Sequence, residues 1–230
     1  MNPYSTHTMS DDPTLPLENA AEVAQTGPGK LPVRKRPKPG ERRSQILQTL
    51  ASMLELPAGE RITTAALAAR LDVSEAALYH HFASKAQMFE GLIEFIEQSV
   101  FALANQIVER EQGQDPQAGA RQSARIIAML VQFAEKNPGL ARVMVGDALV
   151  FENERLLVRM NQLFDKIDAT LRQCLRGSSA LDALTPTVDA QVRAAVLTAF
   201  ATGRLQRYVR SGFKRLPSEH LEASLAVMLG

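Results

Sequence analysis

RITTAALAARLDVSEAALYHHFASKAQMF, residues 61–89, places three helix starts close together, and its reading decides the fold. Thr63 is a good N-cap, because its hydroxyl can accept from the backbone amides left free at a helix start. Ala65, Ala66, Ala68 and Ala69 favour helix, and Leu67 with Leu71 forms an inward-facing i, i+4 pair. Ala68 lies four residues before Asp72, where two helices must cross closely and a small side chain belongs. Asp72 occupies a turn position where the backbone goes left-handed, a region aspartate tolerates better than most residues. Ser74 then caps a second helix, and Ser84 with Gln87 reads as the capping box of a third. Two short helices on a tight turn, with a third directly behind, describe a helix-turn-helix unit that lays its second helix in the DNA major groove. The bland alternative is an ordinary helical hairpin.

The helix period sorts the second helix into an inner and an outer side. Leu78 and Phe82, with Val73, point to the core. Glu75, Ala76, Ala77, Tyr79, His80 and His81 are left for the groove and the flanking backbone. Alanines allow close approach and can touch thymine methyls. Tyr79, Thr63, Thr64, Ser74 and Lys85 suit phosphates better than bases. His80 and His81 can address base edges or phosphates. As adjacent helical residues they diverge by about 100°, with no acidic or cysteine partner nearby, so no metal site is expected.

Formal net charge is only +1, but its distribution is uneven. Residues 1–29 contain four acidic residues and no Lys or Arg, whereas seven basic residues crowd into residues 30–43, ending in Arg42 and Arg43. A basic arm directly before a reading unit commonly follows the backbone or enters the minor groove. The competing reading is a solvated linker.

The 230 residues are 45% apolar and contain no Trp, which suits packed helices rich in Ala and Leu. No stretch approaches the ~20 apolar residues of a membrane span, and the N-terminus lacks a basic-then-apolar leader pattern. A cytoplasmic protein is expected. The single Cys174 reads as a small buried apolar residue. An enzyme has little support: there is no glycine-rich phosphate loop, metal-ligand cluster or nucleophile motif. Asp165 and Asp168, on one helix face, read as solvated charge. Neither cofactor nor metal is expected.

Punctuation outlines the rest. Residues 1–39 lack periodic apolar spacing and read as disordered. Helices are expected over residues 41–56, ended by Pro57 and Gly59, and from Lys85 to about Glu111. Others are expected from Asp115-Pro116 to the Asn137-Pro138-Gly139 stop, over 140–145, and from about Phe151 to Leu175 before the Gly177-Ser178-Ser179 break. The last two should cover Val188 to about Arg210 and Ser218 to Leu229. No window favours strands, so the fold is expected to be all-α. Residues 40–86 form a three-helix helix-turn-helix domain, and 87–230 an approximately six-helix domain for dimerisation and partner binding. Val192, Ala195, Val196, Ala199, Phe200 and Gly203 make a face of small and apolar residues suited to close packing between two copies. Part of that face is expected to go to the same chain's last helix.

This order resembles the TetR family of homodimeric DNA-binding proteins, on Thr64, Ala66-Leu67-Ala68, Val73-Ser74, Ala77-Leu78-Tyr79, His81-Phe82 and Ser84-Lys85. Within that family the chain is most similar to the nucleoid occlusion factors, through residues 61–99 and through ERRSQILQTLASMLE, EKNPGLARVMVGDALVFENERL, MNQLFDKIDATLRQCLR and RYVRSGFKRLP. Asp72 in place of glycine, and His80 in place of a basic residue, depart from the pattern. The resemblance implies a homodimer on palindromic double-stranded DNA, associated with the nucleoid, that inhibits assembly of the tubulin-like protein FtsZ. It also implies that Phe95, Lys136 and Asn137 serve FtsZ, with Met129 and Gln132 at less faithful positions. The competing reading is a TetR-type repressor whose helices between Met88 and Leu175 enclose a small apolar ligand.

Overall fold

Helix caps determine where the elements begin. A computed structural model describes residues 40–56, 62–110, 115, 117–176 and 186–230. The expected disordered extension, the Pro57–Gly59 stop and the Gly177-Ser178-Ser179 break lie outside these residues. The chain forms α1 (Glu41–Leu54), α2 (Thr64–Arg70), α3 (Glu75–Tyr79), α4 (Lys85–Arg110), α5 (Ala118–Lys136) and α6 (Pro138–Met144). A short 3-10 turn (Asp147–Leu149) leads to α7 (Glu154–Leu175), α8 (Pro186–Arg210) and α9 (Leu221–Leu229). Among the described residues there is no strand, and the fold is all-α.

Several expected starts are displaced: α6 opens at Pro138 rather than Leu140 and α8 at Pro186 rather than Val188, and two others move for a reason one residue supplies. Helix α7 opens at Glu154 rather than Phe151, because Asn153 caps it by accepting the Arg155 N–H at 3.1 Å. Phe151 is thereby left in the preceding loop, 74% exposed. Helix α9 opens at Leu221 rather than Ser218, because His220 adopts a left-handed φ of 53° and breaks the path from Pro217.

The core is one continuous cluster. It takes in Ile46, Leu50 and Leu54 of α1, Phe89, Leu92, Ile93 and Ile96 of α4, Ile127 and Val131 of α5, and Leu163, Leu171 and Leu197 of the later helices. Each such side chain contributes about 1.5–3 kcal/mol on burial.

The first helix is seated firmly on the body. A Cβ at Gly139 would lie 2.0 Å from the Ala51 carbonyl oxygen, so α1 and α6 touch backbone to backbone. Arg142 donates to the Leu54 and Leu56 carbonyls at 3.2 and 3.4 Å, closing the end of α1, and also pairs with Asp147 at 2.6 Å. Gly91 lets α4 cross α1 against Leu47.

Candidate DNA-reading face

The turn of the reading unit is a complete Schellman closure. Asp72 takes φ 54°, its N–H donates to Ala69 O at 3.2 Å, and the Val73 N–H reaches Ala68 O at 3.1 Å. Aspartate at this left-handed position costs roughly a kcal/mol relative to glycine. Thr63 accepts from Ala66 N at 3.1 Å and Ser74 from Ala77 N at 3.2 Å, so both caps form where the sequence places them. Ser84 accepts from Gln87 N at 3.2 Å, but the Gln87 side chain returns to Ala83 N, one residue earlier than in a standard box. Leu67, Ala68, Leu78 and Phe82 are buried, while Leu71 and Val73 are only half-buried.

The outer side of α3 is open. Glu75, Ala76 and His80 are exposed, Tyr79 is 45% exposed, and Ala77 and His81 are half-buried. Thr64 donates its hydroxyl to Glu75 Oε2 at 2.6 Å, tying the start of α2 to the start of α3. That bond holds the Glu75 carboxylate as a fixed acceptor, the chemistry that suits a cytosine amino group. It also means that Thr64 must exchange partners to donate to a phosphate. Thr63 and Ser74 use a lone pair in capping and keep their hydroxyl protons for phosphate oxygens.

The basic side chains around α3 differ in availability. Arg42 donates to Gln45 at 3.1 Å. Arg43 lays its guanidinium over the Phe82 ring, 4.0 Å from the centroid, and donates to the His81 carbonyl. It therefore braces the end of α3 as well as adding charge. Lys85 is largely covered: its ammonium pairs with Glu152 at 2.5 Å, with side chains only 19% and 8% exposed. Glu152 has no sequence signal linking it to the reading unit, since it lies 67 residues further along the chain.

A second group lies on α4 and α5. Phe95 is half-buried against the core, with Ile96 beside it fully buried. Met129, Gln132 and Lys136 fall three and four residues apart on α5, half-buried, exposed and exposed respectively. Asn137 differs: it is 8% exposed, and its amide donates to the Phe133 carbonyl at 2.8 Å. It shapes the corner between α5 and α6 and presents little side chain outward.

The third group, on α8, is open. Val192 and Val196 are 45% and 47% exposed, Ala195, Ala199 and Gly203 are exposed, and a Cβ at Gly203 would meet no atom within 4 Å. Phe200 is half-buried under the Arg204 guanidinium. The last helix, expected to cover part of this face, leaves it largely uncovered. Beside it runs an open groove of about 510 Å³ between α7 and α8, lined by Phe164, Asp165, Asp168, Thr198 and Thr202 as well as the small residues. Asp168 pairs with Arg172 at 2.8 Å and Asp165 is exposed, in keeping with solvated charge.

A capped helix-turn-helix ahead of a helical body defines a TetR-type DNA-binding regulator. The bacterial regulatory proteins, tetR family, model matches residues 59–92, and a tetracyclin repressor-like C-terminal domain of SlmA-like type matches residues 120–229. Solved structures agree on the fold. The regulator FadR from Bacillus subtilis, in complex with stearoyl-CoA, superposes with TM-score 0.60 at 13% identity, over 81% of this chain and 97% of its own. The ketosteroid regulator KstR2 of Mycobacterium tuberculosis gives 0.57 at 18%, over 83% and 94%. The chain belongs to the SlmA family of nucleoid occlusion factors. It is 49% identical over 187 residues to the factor of Idiomarina loihiensis, covering 81% of this chain and 93% of the relative. It is 50% identical over 179 residues to that of Shewanella pealeana, covering 78% and 88%. Its role is thus that of a DNA-binding factor and not of an enzyme. Among the described residues no helix is long and apolar enough to cross a membrane.

Proposed function

We propose that two copies pair through the open α7–α8 face, read a palindromic chromosomal site, and, while DNA-bound on the nucleoid, inhibit FtsZ assembly. The observation that carries this reading is the exposed Val192–Val196 stripe beside a groove that the protomer's own last helix leaves open. One reading helix spans one half-site; a two-fold pair spans two, about one helical turn apart. In the groove, Ala76 and Ala77 allow close approach, while His80 and Glu75 select bases. Tyr79, Thr63, Ser74 and the arginines of α1 hold the backbone.

For FtsZ, Phe95 on α4 and the Met129–Gln132–Lys136 stripe on α5 form the docking surface, and Asn137 positions its corner. The deciding experiment follows FtsZ polymerisation by light scattering with the protein bound to a palindromic duplex. Phe95→Ala should keep its DNA affinity and lose inhibition. An equally inhibitory Phe95→Ala protein removes this surface from the reading. Genome-wide occupancy separates this role from a ligand-responsive repressor: sites scattered over the chromosome support division control, whereas a few promoter sites support the repressor.

A further inference from the structure

The end of α8 and the turn after it carry three cations with no partner among the described residues. Arg210, Lys214 and Arg215 are exposed, and among the described residues their side chains enter no ion pair or hydrogen bond. Their neighbours are occupied: Arg204 donates to the Pro217 and Glu219 carbonyls and to Ser224, and Arg207 pairs with Glu219.

The turn that displays them is tightly built. Gly212, at φ 63°, donates to Val209 O at 3.0 Å, and Phe213 N–H reaches Tyr208 O at 3.0 Å. Phe213 is itself left-handed at φ 64°, a conformation rare for a bulky residue and often associated with function. Its ring meets Tyr208 edge-on at 5.2 Å. Ser211 Oγ donates to Tyr208 O at 2.8 Å and accepts the Lys214 and Arg215 amides at 3.1 and 2.9 Å. The turn is thus fixed at both ends, and Leu216 beside it is 48% exposed.

Its location points to the occupant. The buried Tyr208 donates its hydroxyl to the Glu135 carbonyl at 3.2 Å, and Lys136 follows in sequence. The turn therefore sits at the α5–α6 corner assigned above to FtsZ. That corner meets the far end of α1 through Gly139 and Ala51, whereas Arg43, near the start of α1, touches the reading unit. Ala51 and Arg43 lie eight residues apart on α1, about 12 Å along its axis. The free cations therefore stand beside the corner assigned to FtsZ, joined to it through Tyr208.

We infer that the α8 turn is a second part of the FtsZ-docking surface, accepting an acidic stretch of FtsZ through Arg210, Lys214 and Arg215 with an apolar side chain against Leu216. This rests on the FtsZ reading, and the test separates the two. Full-length protein bound to a palindromic duplex is titrated with FtsZ, comparing wild type, Phe95→Ala and the combined Arg210→Ala, Lys214→Ala, Arg215→Ala variant, with Lys214→Glu alone as the milder change. The combined variant should bind FtsZ at least about tenfold more weakly, with a shallower salt dependence, while DNA affinity stays within about twofold. Lys214→Glu should show the same direction. Unchanged FtsZ binding by both variants, with Phe95→Ala impaired, overturns the turn and leaves the other surface standing. A parallel loss of DNA affinity overturns it in favour of phosphate contacts. Wild-type protein that binds no FtsZ overturns both readings.

Discussion

Lys85 and Glu152 are joined by a 2.5 Å ion pair that ties the first residue of α4 to the loop before α7. A lysine at the exit of the reading unit is suited to a phosphate, yet here a carboxylate of the body already holds it. A DNA phosphate must compete with Glu152 for this ammonium. The pair is mostly covered, so it is screened less than a surface pair.

The competition sets the first prediction. Lys85→Ala should weaken binding to any duplex and flatten the slope of log affinity against log salt by about one unit, because Lys85 exchanges from Glu152 to a phosphate. Glu152→Gln should remove the competitor and strengthen binding several-fold with the wild-type slope. Fluorescence anisotropy across a salt series reads both, and a Lys85→Ala protein with wild-type affinity and slope would show that Lys85 stays on Glu152 when DNA is bound.

Tyr79 offers the cleaner phosphate contact, since it is 45% exposed at the end of α3. Tyr79→Phe should weaken all DNA by about tenfold, the loss of one hydrogen bond to a charged group, without changing sequence preference. The melting temperature should not move.

Gly139 tests the seam between reader and body. Alanine there places its Cβ 2.0 Å from the Ala51 carbonyl oxygen, and neither backbone can yield alone. Gly139→Ala should destabilise the protein by about 2–3 kcal/mol through overpacking. A thermal melt matching wild type would refute the close approach.

Pairing is tested on α8. Val196→Asp places a charge on the proposed two-fold interface, where burial without a partner is costly. Sedimentation should shift from dimer to monomer, and affinity for the palindrome should collapse while the circular dichroism spectrum is retained. A dimer of unaltered affinity would move the interface elsewhere.

Cys174 is half-buried, and burial pushes its thiol above the ordinary range. The thiolate fraction at pH 8 is therefore smaller than for a free cysteine, and reactivity should rise only at higher pH. Iodoacetamide should label it slowly in the folded protein and rapidly in denaturant.

The reading unit was legible because its signals are local. Thr63, Ser74, Ser84 and Asp72 act on amides within a few residues of themselves, so their chemistry follows from spacing alone. Helix boundaries were less legible where one side chain decided them: Asn153 moved the start of α7 past Phe151, and the left-handed His220 shortened α9. Asn137 illustrates a different limit. Its position at the α5–α6 corner could be read, but its burial and its bond to Phe133 required the packed helices.

The sequence by itself determined an all-α fold class, a capped helix-turn-helix and the side chains on its outer face, because periodicity and capping depend on neighbours a few residues apart. Tertiary structure alone decided that Lys85 is held by Glu152, that Gly139 seats α1, and that the α8 turn stands beside the α5 corner. Those relationships join residues dozens of positions apart, and only the packing of the helices brings their atoms within hydrogen-bonding or van der Waals distance.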